Sequence, residues 1–168
     1  TQRNLTVPDP LNPGFSVQEG KVRSNGAELQ LAGEILPRLS LVGGIGYIDN
    51  EVVGGPNDGR RLPNVYRLKA SAWANYRLSD AWTLGGGVFH HGNSYINPRN
   101  TNEIPAATIF DAAATWTTRA WGGRTTLQFN VKNIFDSEHF TGGFGAGNSA
   151  WTYAEPGRQF FVRLTREF

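Results

Sequence analysis

Long stretches of this sequence alternate apolar and polar residues with a period of two. In the closing segment QFFVRLTREF, Phe160, Val162 and Leu164 fall on one side, while Phe161 and Arg163 fall on the other. Successive side chains of a β-strand point to opposite faces, so this pattern predicts a strand with one apolar face. The segments TIFDAAATWTTR, TTLQFNVKN and VYRLKASAWANYRL show the same alternation. We therefore predict an all-β fold.

The alternating segments predict seven long strands and the tail of an eighth at residues 1–7. The seven are residues 22–36, 39–53, 65–78, 82–96, 107–120, 124–136 and 156–168. These segments are longer than the roughly 5–6 residues that are common in globular sheets. They also exceed the roughly 9–11 residues that a tilted strand needs to cross a bilayer. Strand length therefore favours strands that cross a membrane.

Short turns alternate with long polar loops between the predicted strands. The short turns are LPR at 36–38, SD at 79–80 and GG at 122–123, and the loops include VVGGPNDGRRLPN, NPRNTNEIPA and SEHFTGGFGAGNSAWTYAEPG. Outer-membrane barrels combine short periplasmic turns with longer extracellular loops and carry aromatic girdles at both interfaces. Tyr76, Trp82, Trp121 and Phe168 lie near the short turns or at the matching end of the last strand. We predict antiparallel transmembrane β-barrel strands in the bacterial outer membrane.

Composition excludes several other classes of protein. No run approaches the roughly 20 apolar residues of a membrane-spanning helix. The chain has no cysteine, which excludes a disulfide framework, and its basic residues are dispersed, which argues against a nucleic-acid partner. No Ser/His/Asp set or paired carboxylates stand out, so no enzyme is expected. His90 and His91 are adjacent and should point to opposite faces of a strand, where they cannot bind one metal ion.

Four segments together resemble one receptor family. They are GKVRSNGAELQLAGEILPRLSLVGGIGYIDNEV, LPNVYRLKASAWANYRL, NVKNIFDSEHF and EPGRQFFVRLTREF. In order and spacing they are similar to the late barrel strands of TonB-dependent siderophore receptors. The resemblance implies a 22-stranded barrel with a plugged lumen. Residues 1–168 would then be the C-terminal part of the barrel, about its last third, with the plug domain and the TonB-contacting box absent. One departure is Arg166, which stands on the register where the family has an apolar residue.

The resemblance also implies a function. Such receptors bind and import ferric siderophores, which hold iron through their own ligands, so no cofactor or metal bound by the protein itself is expected. The implied partners are the TonB complex, reached through the missing N-terminal part, the barrel-assembly machinery, and outer-membrane lipid and lipopolysaccharide. Phe160, Val162, Leu164 and Phe168 resemble the C-terminal signal that the assembly machinery reads.

The loop HFTGGFGAGNSAWTYAEPG is the best candidate for ligand contact. Its glycines would allow mobility, and Phe140, Phe144, Trp151 and Tyr153 would offer flat surfaces to an organic chelate. Arg99, on another loop, could attract an anionic chelate. Alternatively, these aromatic residues pack locally or touch lipopolysaccharide, and the loop arginine only keeps its loop solvated.

Charged residues on the polar side of the strands should line the lumen of the barrel. These are Asp111, Arg119, Lys132 and Arg163. Two other interpretations of the whole chain stay open at this point. One is an independent small outer-membrane barrel of structural or adhesin type, and the other is a soluble β-rich binding module.

Overall fold

The computed structural model describes residues 2–9, 11–120, 122–146 and 149–167, and twelve strands lie among them. The strands are β1 (Gln2–Pro8), β2 (Ser16–Leu36), β3 (Leu39–Val52), β4 (Leu68–Arg77), β5 (Trp82–His91), β6 (Ser94–Tyr95), β7 (Glu103–Ile104), β8 (Ala107–Thr118), β9 (Arg124–Lys132), β10 (Phe140–Ala146), β11 (Ser149–Ala154) and β12 (Gln159–Glu167). No helix in this part of the chain has the length and apolar character that crossing a membrane requires.

Eight strands form one antiparallel sheet in the order β1-β2-β3-β4-β5-β8-β9-β12. Two small hairpins, β6–β7 and β10–β11, lie outside it. Within the described residues no pairing joins β1 to β12, so the sheet is open at both edges. β1 pairs only with Ser16–Val22 of β2, and Val22 is also the first residue of β2 to pair with β3. The β1–β2 hairpin therefore projects beyond the end of β3.

The prediction of seven long strands with a short N-terminal one is confirmed, with corrections at several ends. The second strand begins at Ser16 instead of residue 22, because its first residues pair with β1. The strand predicted at 124–136 ends at Lys132, because Asn133 and Asp136 adopt left-handed backbone angles of +51° and +56° that no strand accommodates. The strands predicted at 65–78, 82–96, 107–120 and 156–168 are also shorter, at Leu68–Arg77, Trp82–His91, Ala107–Thr118 and Gln159–Glu167.

The register aligns the predicted apolar residues of neighbouring strands into continuous rows. One row crosses seven strands through Val162, Phe129, Ala114, Leu84, Tyr76, Leu39 and Leu36. We call this side of the sheet the apolar face. Its large side chains are exposed: Leu29 keeps 70% of its surface and Leu164 keeps 69%. Arg166 pairs with Thr125 in the same register, so its predicted position on this face is confirmed.

The opposite side, which we call the polar face, carries most of the charged and amide side chains of the strands. One of its rows runs through Phe161, Asn130, Ala113, Gly85, Asn75, Ser40 and Glu34. Trp73 is a large aromatic residue on this face, and its Nε1 donates a hydrogen bond to Asn75 Oδ1 (3.0 Å). Its indole ring covers Gly85 and Gly87 of β5, where a methyl group would overlap the ring. The two glycines thus make room for Trp73.

The two ends of the sheet differ, as the sequence predicts. At one end, short turns join β2 to β3, β4 to β5 and β8 to β9. At the other end, which we call the loop end, lie three long connections at 53–67, 92–106 and 133–158. Tyr76 and Trp82 lie on the apolar face near the short turns and are 45% and 41% exposed. The two other aromatic residues expected there, Trp121 and Phe168, fall outside the described residues.

The three long connections form a packed cluster in which most of the buried side chains lie. Ile104 is fully buried, and Ile96 is 4% exposed. Ser94 and Asn97 are buried beside them. We call the three connections together the loop cluster. Its burial contrasts with the exposed apolar face of the sheet, so the loops are an ordered part of the fold.

Asparagine side chains tie the connections to one another. The amide of Asn64 donates to the Gly143 carbonyl (2.9 Å) and accepts from the Gly143 N–H (3.1 Å). The amide of Asn100 makes the same pair of bonds with the backbone of Arg61, at 2.8 and 3.0 Å. An amide has one donor and one acceptor side, so it can pair with a peptide group as a neighbouring strand would. These contacts join 53–67 to 133–158 and to 92–106.

A third asparagine explains the early end of β9. The amide of Asn133 bonds to both the N–H and the carbonyl of Ser137, each at 2.9 Å. Asp136 Oδ1 in turn accepts from the Arg158 N–H (2.6 Å). Asn and Asp tolerate the left-handed backbone angles found here. The segment NIFDS is therefore a tight turn that closes the end of β9 and holds the start of β12.

Replacing Gly87 by alanine should destabilise the sheet, because the added methyl group would overlap the Trp73 ring. Overpacking of this kind costs about 1–3 kcal/mol. The measurement is urea unfolding of the full-length receptor in detergent. Gly86→Ala on the same strand is the matched control, since its methyl group would lie 3.9 Å from the nearest atom, the Asp111 carbonyl oxygen.

In the Trp73→Ala background the penalty of Gly87→Ala should disappear, because the ring that the methyl group overlaps is gone. Equal unfolding midpoints for the Gly87→Ala and Gly86→Ala variants would show that Trp73 does not pack on Gly87 as described.

Replacing Asn64 by aspartate should loosen the loop cluster. Aspartate tolerates the +58° backbone angle of this residue, but it places a carboxylate oxygen against the Gly143 carbonyl. Loss of a buried donor costs about 1–3 kcal/mol. Hydrogen exchange of residues 140–145 should accelerate, while exchange in β8 stays unchanged.

Asn12→Asp makes the same chemical change in the β1–β2 connection, where the Asn12 side-chain amide donates to Asp9 Oδ2 (2.8 Å). It should leave exchange at 140–145 unaltered. If Asn64→Asp also leaves that exchange unaltered, the Asn64–Gly143 pair does not hold the loops together.

Candidate functional site

The β10–β11 hairpin is the centre of the candidate site. β10 and β11 pair from Phe140↔Ala154 to Ala146↔Ser149, with a register shift between Phe140 and Gly142. Beyond the shift, Phe144 lies opposite Trp151 and Gly143 lies opposite Thr152. Alternation along the strands then gives this hairpin one glycine-rich face and one aromatic face.

The glycine-rich face docks on the connection 92–106. A methyl group at Gly143 would lie 3.1 Å from Ile96 Cγ2, and one at Gly145 would lie 3.3 Å from Asn97 Cβ. Gly143 is buried and also pairs with Asn64 through its backbone. The sequence analysis expected these glycines to supply mobility. They serve packing instead, because only glycine allows so close an approach.

The aromatic face points away from the docked side and is exposed. Phe144 and Trp151 stack with their ring centroids 4.8 Å apart and their planes 22° apart. They are 50% and 51% exposed, and Tyr153 on the same strand face is 60% exposed. A rigid hairpin therefore presents a flat aromatic surface to the outside of the loop cluster.

The two other predicted ligand contacts have different positions. Phe140 lies at the root of the hairpin, opposite Ala154 and beyond the register shift, and is half-buried. Arg99 lies on the exposed turn in which the Asn100 N–H bonds to the Asn97 carbonyl (3.1 Å). Because Asn97 contacts Gly145, this turn adjoins the docked side of the hairpin. Only Phe144, Trp151 and Tyr153 share one surface.

A second aromatic cluster lies on the polar face below the loop cluster. Tyr66, Trp73, Phe89 and Lys69 help to line a concave cavity of about 980 Å³. The sequence analysis assigned no role to these residues. The sequence nevertheless indicates an aromatic surface here, since Trp73 and Phe89 stand on the polar register of their strands, where water-facing residues are expected.

Tyr66 lines the part of this cavity that is nearest to the loop end. It is 8% exposed, and its ring centroid lies 4.4 Å from that of His91. The Lys69 ammonium lies 5.1 Å from the same ring centroid, within cation–π range. Burial raises the pKa of the Tyr66 hydroxyl, and the charge of Glu155 raises that pKa further. The phenol therefore stays neutral and serves as an apolar surface with a polar tip.

Three of the four charged residues predicted to face the lumen come together. Asp111, Lys132 and Arg163 line a second concavity of about 460 Å³ on the polar face. Asp111 Oδ1 also accepts a hydrogen bond from the Asn133 N–H (2.8 Å). Arg119 instead lies in the turn after β8 and is exposed.

His90 and His91 face opposite sides of β5, as predicted. His90 Nδ1 lies 2.9 Å from Thr108 Oγ1, its partner on the apolar face, whereas the His91 ring packs against Tyr66 with the two ring planes 41° apart. The described residues contain no group of three or more His, Cys, Asp or Glu side chains that could hold a metal ion.

The predicted assembly signal lies on the apolar face of β12. Phe160, Val162 and Leu164 are 72%, 66% and 69% exposed. The fourth member, Phe168, lies outside the described residues. β12 has β9 as its only strand partner in the described part of the chain, so these residues stand on an open edge of the sheet.

Comparison with known proteins finds the same architecture. A sequence model described as "TonB dependent receptor-like, beta-barrel" matches residues 1–134. The metal-pseudopaline receptor CntO of Pseudomonas aeruginosa is 30% identical over 99% of this chain and 24% of its own length. The ferrichrome outer membrane transporter/phage receptor of Escherichia coli is 28% identical over 90% of this chain and 21% of its own length. This chain therefore spans less than a quarter of the length of either relative.

A solved structure shows the same fold. The siderophore receptor PiuA from Acinetobacter baumannii superposes with a TM-score of 0.81 at 24% identity, over 96% of this chain and 24% of that chain. The family match covers well over half of the chain and describes receptors, in agreement with the prediction that the chain is not an enzyme. The chain belongs to the TonB-dependent receptor β-barrel family, and its sheet is part of the wall of an outer-membrane barrel.

Proposed function

We propose that this chain is the C-terminal part of the barrel of an outer-membrane receptor that binds and imports ferric siderophores. The observation that carries the proposal is the stacked Phe144–Trp151 pair on a hairpin that is docked at the loop end. The names of the two relatives, a metal-pseudopaline receptor and a ferrichrome transporter, support metal chelates as the class of ligand.

The aromatic surface suits an organic chelate for physical reasons. A chelator presents flat or apolar groups around its metal, and aromatic side chains bury such groups with little loss of conformational freedom. The hairpin is already ordered by Ile96, Asn97 and Asn64, so a ligand would not have to organise it. Preorganisation of this kind favours tight binding.

The cavity on the polar face would continue the path of the ligand. Tyr66 and Lys69 line the part of the cavity nearest to the loop end, and Trp73 lies further towards the short turns. A ligand released from the hairpin would thus meet a second surface that combines aromatic rings with a positive charge. We infer that the loop end receives the chelate and that the polar face lines its route.

No metal site of the protein itself is needed in this scheme, because a siderophore supplies the metal ligands. The proposed partners are the ferric siderophore, the TonB complex that would act through another part of the receptor, and the barrel-assembly machinery. The apolar face would contact outer-membrane lipid and lipopolysaccharide. Its exposed Leu29, Leu164 and Phe160 suit an apolar solvent.

The two alternatives have less support. An independent eight-stranded barrel would join β1 to β12, but the described strands leave that edge open. A soluble module would expose the whole apolar face to water, and continuous patches of that kind are rare on soluble proteins.

Replacing Phe144 and Trp151 by alanine should weaken chelate binding about tenfold or more, since each ring is an interface anchor worth at least about 1 kcal/mol. The measurement is equilibrium binding of ferrichrome and of a metal–pseudopaline complex to the full-length receptor. Phe135→Ala is the matched control, because Phe135 is 69% exposed and packs edge-on against Phe110 of the apolar face, away from the hairpin.

The proposal predicts that at least one of these complexes binds the wild-type receptor and that the control binds equally well. Failure of both complexes and of a wider set of ferric siderophores to bind would contradict the proposed function. Equal binding by the double variant would instead remove the hairpin from the binding site.

A further inference from the structure

The aromatic face of the β10–β11 hairpin ends in a carboxylate. The Glu155 N–H donates to the His139 carbonyl (3.0 Å), so the hairpin ladder extends one residue beyond the end of β11. Because side chains alternate along a strand, Glu155 follows Trp151 and Tyr153 on the same face. Glu155 is exposed, and its Oε1 accepts a hydrogen bond from Thr141 Oγ1 (2.6 Å). An anchored, water-accessible carboxylate therefore borders the flat aromatic surface.

The segment that carries this face is acidic. Residues 133–157 contain three acidic side chains and no lysine or arginine. The connections 53–67 and 92–106 together contain four arginines and two acidic side chains. Of the three acidic side chains in the hairpin segment, Asp136 pairs with Arg158 (3.8 Å), which lies just beyond that segment. The negative charge that remains lies on the hairpin segment itself.

The fold does not use the charge of Glu155 to dock the hairpin. Docking depends on the close approach of Gly143 and Gly145 to the connection 92–106, and on the amide of Asn64. Within the described part of the chain, Glu155 forms no ion pair. Its charge is therefore available to a group that comes from outside these residues.

The basic residues near the hairpin leave this carboxylate exposed. The Lys69 ammonium lies over the Tyr66 ring, 5.1 Å from its centroid. Arg99 lies on the turn that adjoins Gly145, and the residue opposite Gly145 is five positions from Glu155 along the hairpin strand, or roughly 17 Å. Burial and the charge of Glu155 raise the pKa of the Tyr66 hydroxyl, so the carboxylate lies within electrostatic reach of the cavity. The hairpin thus has an acidic end beside the cavity and a basic residue near its tip.

A cation is attracted both by a carboxylate and by the faces of aromatic rings, which carry negative partial charge. From this arrangement we propose that Glu155 and Tyr153 bind a pendant ammonium group of the chelate. The apolar body of the same chelate lies on the stacked Phe144 and Trp151 rings. The ligand class is then a metal chelate with a cationic arm. The inference rests on the proposed function, because it concerns the same hairpin.

Two ferric complexes that differ only in a pendant charge test this inference. Ferrioxamine B carries a free ammonium arm, and N-acetylation of that arm removes the charge and leaves the metal centre unchanged. The full-length receptor in detergent should bind ferrioxamine B about fivefold more tightly, since an exposed ion pair and a cation–π contact each contribute modestly. Added salt should reduce the preference, because it screens exposed charges.

Glu155→Gln keeps an oxygen that can accept from Thr141 but removes the charge. It should lower the affinity for ferrioxamine B about fivefold, and it should leave both thermal unfolding and the affinity for the acetylated complex unchanged. Glu51→Gln is the matched control, because Glu51 is a loop-end carboxylate that pairs with Arg23 on the apolar face of the sheet, away from the hairpin. This control should keep the wild-type preference.

Equal affinity of the wild type for the two complexes, an unchanged preference in Glu155→Gln, or an equal loss of both complexes in that variant would overturn the inference and leave the proposed function intact. Tight binding of a ferric tris-catecholate, which has no cationic arm, without binding of ferrioxamine B would also overturn it. Failure of these complexes and of a wider set of ferric siderophores to bind would contradict the proposed function and, with it, the inference.

Discussion

The antiparallel hydrogen-bond ladder of the eight-stranded sheet sets the position of nearly every other feature of this chain. Each strand contributes alternate residues to the two faces, so a single register aligns Val162, Phe129, Leu84 and Leu39 on the apolar face. A shift of one residue in any pair of strands would move apolar side chains to the polar face. The ladder thus separates the side that meets lipid from the side that carries Lys69, Asp111 and Arg163.

The ladder also explains why the loop cluster can be ordered. Strands that end at neighbouring positions deliver the three long connections to the same end of the sheet. The connections then pack on Ile96 and Ile104 and are joined by asparagine amides that act as additional peptide groups. A cluster built in this way can hold an aromatic surface in place without contributing a strand to the main sheet.

Local sequence patterns predicted the sheet but not the loop cluster, and the reason is physical. Alternation is a property of each strand alone, so Phe160, Val162 and Leu164 could be assigned to one face from the sequence. The partner of Asn64 is Gly143, 79 residues away, and no local pattern encodes that contact. The glycines of β10 were interpreted as mobile for the same reason, since their packing depends on Ile96.

Some missed features did have a local signal. Asn133 and Asp136 allow left-handed backbone angles and could have placed the end of β9 earlier. Trp73 and Phe89 stand on the polar register and could have indicated an aromatic surface there. Their environment, with Trp73 over Gly85 and Gly87, required the register between β4 and β5.

Site-directed spin labelling along β12 tests most directly the claim that this sheet is a wall of a membrane barrel. These 168 residues contain no cysteine, so single cysteines at positions 160–164 can be labelled one at a time in this region. In the full-length receptor in lipid, labels at 160, 162 and 164 should be accessible to oxygen dissolved in the bilayer. Labels at 161 and 163 should show low oxygen accessibility. Equal accessibility at all five positions, or high oxygen accessibility at 161 and 163 instead, would contradict the account.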